Sequence, residues 1–198
     1  MSRTEVRITG YGGQGVVLCA YIVGRANAVN AGNHSTMIQS FGPEARGSAC
    51  SATLALSDEE ILYPYIRRPD VLVAMSAEGY DMHRDGLKPK GILVYEKDLV
   101  PARLKKGQKS FGISSTRIAE GLGRTLVQNI VMLGFFAGAT KVVPHEQMRE
   151  AVAASVPPGT EELNLKAFEA GLAYVEEHYG AGVPGDAEAG EPLVSPMA

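Results

Sequence analysis

The sequence predicts an α/β fold: one three-layer α/β/α domain over residues 1–179, built on a mostly parallel, mixed sheet, with an extended tail over residues 180–198. Three observations carry that prediction. Val6 and Ile8 alternate with Arg7 and Thr9, the period of a short strand, and run into Gly10-Tyr11-Gly12-Gly13-Gln14-Gly15 and then an apolar run of helical length. Val71-Leu72-Val73-Ala74-Met75 is continuously apolar at strand length, as in a strand buried on both faces of an α/β sheet. Helical patterns alternate with strands through the front of the chain, which is the arrangement that builds layered α/β domains.

The elements follow in order. The first helix is expected over residues 13–30, with Gly32 near its carboxyl cap and Gly24 inside it marking a close packing contact. Residues 35–39, with Met37 and Ile38, read as a second strand. Residues 49–56 alternate and read as a third, and residues 61–65 as a short edge-like segment closed by Pro64. The apolar strand at 71–75 precedes a short helix at 78–84 and another strand at 91–95. Basic residues between Arg103 and Lys109 read as a solvated loop, and 111–113 as the last strand. Helices are expected at 116–122 and at 126–139, the latter apolar on nearly all sides and so buried. Pro144 at a first helical position and Glu146 open a helix to about Ser155, which Pro157-Pro158-Gly159 ends. Thr160 is expected to cap the last helix, whose stripe is Leu165, Phe168, Leu172 and Val175.

Composition narrows the function classes. The chain has 198 residues, 45% hydrophobic and 21% charged, ordinary for a globular domain with a sizeable core. A formal net charge of −3 offers no bulk attraction for nucleic acid or an anionic membrane. No apolar run reaches the ~18–20 residues of a membrane span, and the amino terminus lacks a signal-peptide core, so a cytoplasmic protein is expected. Cys19 and Cys50 are read as two reduced, buried thiols, and no metal site is expected on this chain. From Gly180 the chain holds four glycines, three prolines and three acidic residues, a composition that does not order itself. The tail is expected to lie on a neighbouring subunit, anchored by Leu193, Val194 and Met197.

The first glycine loop sits between a strand and a helix. There the free N–H groups of the first turn and the helix dipole make a ready anion site, and glycine lets a ligand approach the backbone. The loop satisfies G-x-G-x-x-G. The dinucleotide fingerprint also wants an acidic residue roughly 20 positions on, however, and none occurs between Glu5 and Glu44. A second loop, Ser40-Phe41-Gly42-Pro43-Glu44-Ala45-Arg46-Gly47, holds Arg46, a planar donor fork suited to phosphate or carboxylate. Both loops leave the carboxyl ends of strands, so they meet if those strands are neighbours. His34, His83, His145 and His178 are scattered, and there is no nucleophile elbow or Walker lysine. No catalytic residue is assigned.

These residues resemble a known family. Gly10-Tyr11-Gly12-Gly13-Gln14-Gly15-Val16 is similar to the opening of the gamma subunit, or gamma domain, of 2-oxoacid:ferredoxin oxidoreductases, and the second loop to its S-Y-G-P-E-x-R-G signature. The likeness spans about residues 6–173, including Pro69 to Met75, Asn129 to Gly134 and Asn164 to Gly171. Departures are Phe41 for a common tyrosine, Ala45 for a bulkier apolar residue and Ser48 for a frequent glycine; all leave the backbone role intact. The family oxidatively decarboxylates 2-oxoacids with thiamine diphosphate and iron–sulfur clusters, usually forming an acyl-CoA. The resemblance implies a non-catalytic gamma subunit that closes the active-site entrance and helps bind coenzyme A. Thiamine diphosphate, Mg and the Fe–S clusters would sit on partner alpha, beta and ferredoxin-like subunits. Carried over residue by residue, Gly12, Gly13, Gln14 and Gly15 would cradle phosphate, and Gly42, Pro43, Glu44, Arg46 and Gly47 would line the entrance. Pyruvate, a branched or aromatic 2-oxoacid and 2-oxoglutarate all remain open as substrates. The alternative is a free-standing nucleotide-binding or regulatory domain without redox chemistry; an NAD-dependent dehydrogenase is disfavoured by the missing acid.

Overall fold

The computed structural model describes residues 3–42 and 49–180. One six-stranded sheet runs through it in the order β2-β3-β1-β4-β5-β6. The strands are β1 (Thr4–Tyr11), β2 (His34–Phe41), β3 (Ala49–Ser57), β4 (Val71–Ala74), β5 (Ile92–Glu96) and β6 (Lys109–Ile113). β1, β4, β5 and β6 are mutually parallel, whereas β3 runs antiparallel to both β1 and β2. The sheet is therefore mixed, as expected.

Alternation along the strands sorts the two faces. Val71, Val73 and Met75 join one apolar cluster with Val6, Ile8, Leu54 and Val94, and Leu72, Ala74 and Leu93 join another on the opposite side. Every residue of β4 is buried because β1 and β5 flank it and both faces are covered, which explains its unbroken apolar run. The larger cluster carries α1 (Val16–Arg25), α3 (Ser115–Gly121), α4 (Gln128–Thr140), α5 (His145–Ala153) and α6 (Glu161–Tyr179). The smaller is covered by α2 (Ala77–His83), whose Tyr80 is buried and exchanges 2.7 Å hydrogen bonds with the backbone of Arg103.

α4 is the most deeply placed helix. Eleven of its thirteen residues are buried, among them Phe135 and Phe136. It lies against α6 where two glycines meet: a Cβ on Gly134 would overlap the Phe168 carbonyl, and one on Gly171 would overlap the Val131 carbonyl. Backbone-to-backbone contact of this kind leaves no room for any side chain.

Several expectations are corrected at the level of single elements. Residues 61–65 form no strand; Pro64 supplies no N–H and restrains Tyr63, and Leu62, Tyr63 and Tyr65 are exposed, with the two tyrosine rings 5.4 Å apart. The first helix is not uniform: after Arg25 it widens into a π-type turn, Ala26–Asn30, which turns buried Asn27 toward β2 so that its amide donates to the His34 carbonyl at 2.8 Å. Thr160 precedes α6 but does not cap it with its side chain; the hydroxyl donates to the Pro157 carbonyl at 2.7 Å. Pro144 stands one position before α5 rather than inside it. Gly24 does pack closely: a Cβ there would meet Leu54 at 3.2 Å. Residues 181–198, and with them the expected contacts of the tail, lie outside the described residues. Among the described residues no helix is long and apolar enough to cross a membrane.

On the α2 face, Arg7 donates to Nδ1 of His83 at 3.2 Å, so that nitrogen carries the lone pair and the ring is neutral. Burial, and then the nearby Arg7 charge, push the His83 pKa down to about 4. The unfolded chain takes up this proton near pH 6.5 and the folded chain near 4, so stability is complete above pH 6.5 and declines as pH falls between those values. The decline should amount to about 1–3 kcal/mol, and His83→Gln should flatten that slope in urea titrations across pH 4–6.5. Gly171→Ala should cost roughly 3 kcal/mol or more, read as a fall in the thermal midpoint of the purified chain, because the clash is with backbone and cannot be relieved by a rotamer.

Candidate functional site

The glycine loop is held from beneath by one of its own side chains. The Gln14 amide oxygen accepts from the Tyr11 N–H at 2.7 Å, its amide nitrogen donates to the Met75 carbonyl at 3.1 Å, and its N–H donates to the Tyr11 carbonyl at 3.1 Å. Gln14 thus ties the end of β1 to the exit of β4 and folds the loop back on itself. Its amide is spent on shaping the loop, and what faces outward is backbone.

Two glycines of the loop have φ values that L side chains avoid, 102° at Gly13 and 76° at Gly15. They differ in what lies around them. A Cβ at Gly13 would meet no atom within 4 Å, and Gly13 is exposed. A Cβ at Gly15 would collide with the side-chain amide of Asn129, from the first turn of α4. Gly15 is the N-cap of α1, offers no side-chain cap, and no acidic residue stands in the first turn. Among the described residues the N–H groups of Val16, Val17 and Leu18 find no acceptor; Cys19 N–H is the first to bond, to the Gly15 carbonyl at 2.9 Å. The positive end of the α1 dipole and three unspent donors therefore open beside Gly12 and Gly13.

The second loop leaves and rejoins the sheet at the same end. Gly42 donates to the Ala49 carbonyl at 3.1 Å, Phe41 pairs with Cys50, and Tyr11 pairs with Ala49 across β1 and β3. β1 and β2 are not neighbours, so the condition set by the sequence is not met; β3 lies between them and brings the two loops to one edge instead. Gly42 is half-buried there, while Pro43, Glu44, Ala45, Arg46 and Gly47 lie outside the described residues. Phe41, beside Gly42, is 66% exposed.

Two buried polar residues at this end escaped the sequence reading. Glu96, 2% exposed at the end of β5, accepts from the Ser115 hydroxyl and the Thr116 N–H (3.1 Å) on one oxygen and from the Asp98 N–H (3.2 Å) on the other. Two of those donors belong to the first turn of α3, so Glu96 serves as that helix's cap from a neighbouring strand. Asn129, 6% exposed, presents its amide to Gly15 as described above, and its carbonyl accepts from the Cys19 thiol at 3.5 Å. Asn129 lies 114 positions from Gly15 and Glu96 lies 20 from Thr116, so neither pairing is readable from the periodicity of its own element. Burial pushes the Cys19 pKa up to about 12 and that of Cys50 upward too, so both thiols stay protonated and inert. Among the described residues no group of His, Cys, Asp and Glu is placed to hold a metal ion.

With this geometry in hand, the chain can be set beside known proteins. The signature of the pyruvate ferredoxin/flavodoxin oxidoreductase family matches residues 5–174. The 2-oxoglutarate synthase subunit KorC of Methanothermobacter marburgensis is 42% identical over 182 residues, covering 88% of this chain and 98% of the relative. The pyruvate synthase subunit PorC of Methanocaldococcus jannaschii is 31% identical over 179 residues, covering 89% and 99%. A solved keto/oxoacid ferredoxin oxidoreductase gamma subunit from Geobacter sulfurreducens matches with a TM-score of 0.76 and 34% identity, covering 86% of this chain and 96% of that one. The full span of the match, the fold and the glycine loop agree: this chain belongs to the pyruvate ferredoxin/flavodoxin oxidoreductase family, as a gamma subunit of a 2-oxoacid:ferredoxin oxidoreductase.

Proposed function

We infer that this gamma subunit serves a complex whose substrate is 2-oxoglutarate, and that its paired loops bind coenzyme A at the entrance to an active site carried by partner chains. The identity of 42% to a 2-oxoglutarate synthase subunit, against 31% to a pyruvate synthase subunit of the same span, supports the substrate. The observation that supports the coenzyme A site is the outward face of the glycine loop. The N–H groups of Val16, Val17 and Leu18 are unspent among the described residues, and the space above Gly13 is open. These features suit a phosphate of the cofactor.

In this reading Gly12, Gly13 and Gly15 offer backbone to the phosphates and Gln14 keeps that backbone in place. Gly42, Pro43, Glu44, Arg46 and Gly47 line the entrance, Arg46 as a fork for an anionic group. Coenzyme A supplies the thiol that accepts the acyl group. This chain's part is to hold the carrier, narrow the opening and exclude water. Thiamine diphosphate, Mg and the Fe–S clusters belong to alpha, beta and ferredoxin-like partners, and the tail over residues 180–198 docks on one of them through Leu193, Val194 and Met197.

A tag on this chain should bring down larger, iron-containing chains, and the purified complex should reduce viologen dye with 2-oxoglutarate and coenzyme A far faster than with pyruvate. A colourless monomer, or a preference for pyruvate, would contradict the reading. In the same complex Gly13→Asn, a residue that tolerates positive φ better than most, should raise the KM for coenzyme A about tenfold with assembly intact. Deleting residues 183–198 should weaken assembly, measured by size-exclusion chromatography, without lowering the thermal midpoint of the free chain.

A further inference from the structure

The crossing from β3 to β4 leaves three large apolar side chains in the open within a few residues. Leu62 is 86% exposed, Tyr63 59% and Tyr65 61%. A single exposed leucine or tyrosine is ordinary, but a run of them forms a patch. The backbone beneath the patch is held. Arg3 donates to the Tyr65 carbonyl at 3.4 Å and Arg7 to the Ile66 carbonyl at 3.5 Å. Ile66 itself is buried. Farther on, the Asp70 N–H donates to the Glu5 carbonyl at 2.7 Å and the Asp70 carboxylate accepts from the Glu5 N–H at 2.9 Å. Pro64 fixes one backbone torsion between the two tyrosines. A segment pinned in this way loses little freedom when a partner closes on it, which strengthens binding for a given contact area.

Charge is the second, independent observation. Arg67 and Arg68 follow the patch at once and both are exposed. Behind them Arg7 donates to His83 and to the Ile66 carbonyl, while its Nε is buried without an acceptor. Among the described residues no acid pairs with Arg7, Arg67 or Arg68. The nearby carboxylates are already engaged, Glu5 with Arg3 and Lys88, and Asp70 with Lys88. Three guanidinium groups without counter-charge at one end of an apolar strip fit a surface that offers carboxylates there and a hollow for leucine and tyrosine. Tyrosine and arginine are also the side chains that most often anchor protein interfaces. An anionic lipid surface fits less well, because Asp58, Glu59 and Glu60 open the same crossing.

We propose that Leu62, Tyr63, Tyr65, Arg67 and Arg68 form an assembly surface that docks into an apolar, acid-rimmed hollow on a partner chain of the oxidoreductase complex. This rests on the reading that the chain works beside larger chains, and it gives that contact an anchor separate from the tail. The crossing enters β4 at its amino end, whereas the glycine loop leaves the parallel β1 at its carboxyl end. The two surfaces therefore stand at opposite ends of the sheet, and docking leaves the glycine loop uncovered.

The test is the concentration at which this chain leaves the purified complex on dilution, followed by size-exclusion chromatography. The variants are Leu62→Asp, Tyr63→Ser, the double change Arg67→Gln with Arg68→Gln, and Leu126→Asp. Leu62→Asp should raise that concentration about thirtyfold and Tyr63→Ser about tenfold, as for loss of an interface anchor. The double variant should raise it about tenfold at low salt, and its gap from wild type should close at high salt, where charged contacts are screened. Leu126→Asp puts the same charge on a leucine 80% exposed just before α4, and should leave assembly unchanged. The thermal midpoint of the free chain should hold in all of them, since none of these side chains is buried, and the KM for coenzyme A should not move. Wild-type assembly in both Leu62→Asp and the double variant overturns the proposal. So does an equal loss in Leu126→Asp, or a fall in thermal midpoint that tracks the loss of assembly. A free chain that dimerises, or that floats with vesicles of phosphatidylcholine and phosphatidylglycerol, and stops doing so in Leu62→Asp, assigns the patch to a second copy or a membrane and overturns it too. Normal assembly of every variant removes this inference alone, whereas wild type that never joins larger chains removes the underlying reading with it.

Discussion

A helix with eleven of thirteen residues buried must be surrounded on every side, and the domain is arranged to do that for α4. On one flank Gly134 and Gly171 bring the α4 and α6 backbones into contact, and on another its first turn reaches the N-cap of α1 at Gly15. Phe135 packs edge-on to Tyr174 at 5.8 Å, so the crossing is sealed by aromatic rings beyond the glycines. The position of α4 is thereby fixed at several points within close-packed tolerance. The N-cap of α1, where the glycine loop ends, is thereby set against the most buried helix of the domain.

The sheet makes a second contribution. A simple strand–helix–strand unit would have placed β2 beside β1, with the two loops of interest side by side. β3 instead runs back between them, antiparallel to both, so the loop after β2 returns to the sheet opposite Tyr11. The insertion costs direct adjacency but ties both ends of the second loop to the strand that pairs with the first. The described ends of the two loops, Tyr11 and Gly42, thereby stand on one edge of the sheet.

Much of this was legible in the sequence, and the reasons are physical. Periodicity located every strand of the sheet and every helix to within a few residues, because burial imposes the period. The unbroken run at Val71–Ala74 announced a strand covered on both faces. What periodicity could not show was pairing between distant segments. The antiparallel pairing of β3 with both β1 and β2 leaves no mark in the alternation of those strands. Asn129 lies in an apolar helix and gains meaning only from Gly15 across the fold, just as Glu96 gains it from the first turn of α3. Thr160 shows the opposite failure: a residue suited to capping, in a capping position, that bonds backward to Pro157. Residues 61–65 mislead for a related reason, since apolar and aromatic side chains there are exposed rather than paired.

The central claim is that this subunit holds coenzyme A by its phosphates at the start of α1. A cryo-electron microscopy structure of the assembled complex with coenzyme A bound tests it most directly. The account predicts a phosphoryl group within hydrogen-bond distance of the N–H groups of Val16 to Leu18, lying over Gly13. Cofactor phosphates bound wholly by other chains, with the glycine loop packed against protein instead, would contradict it.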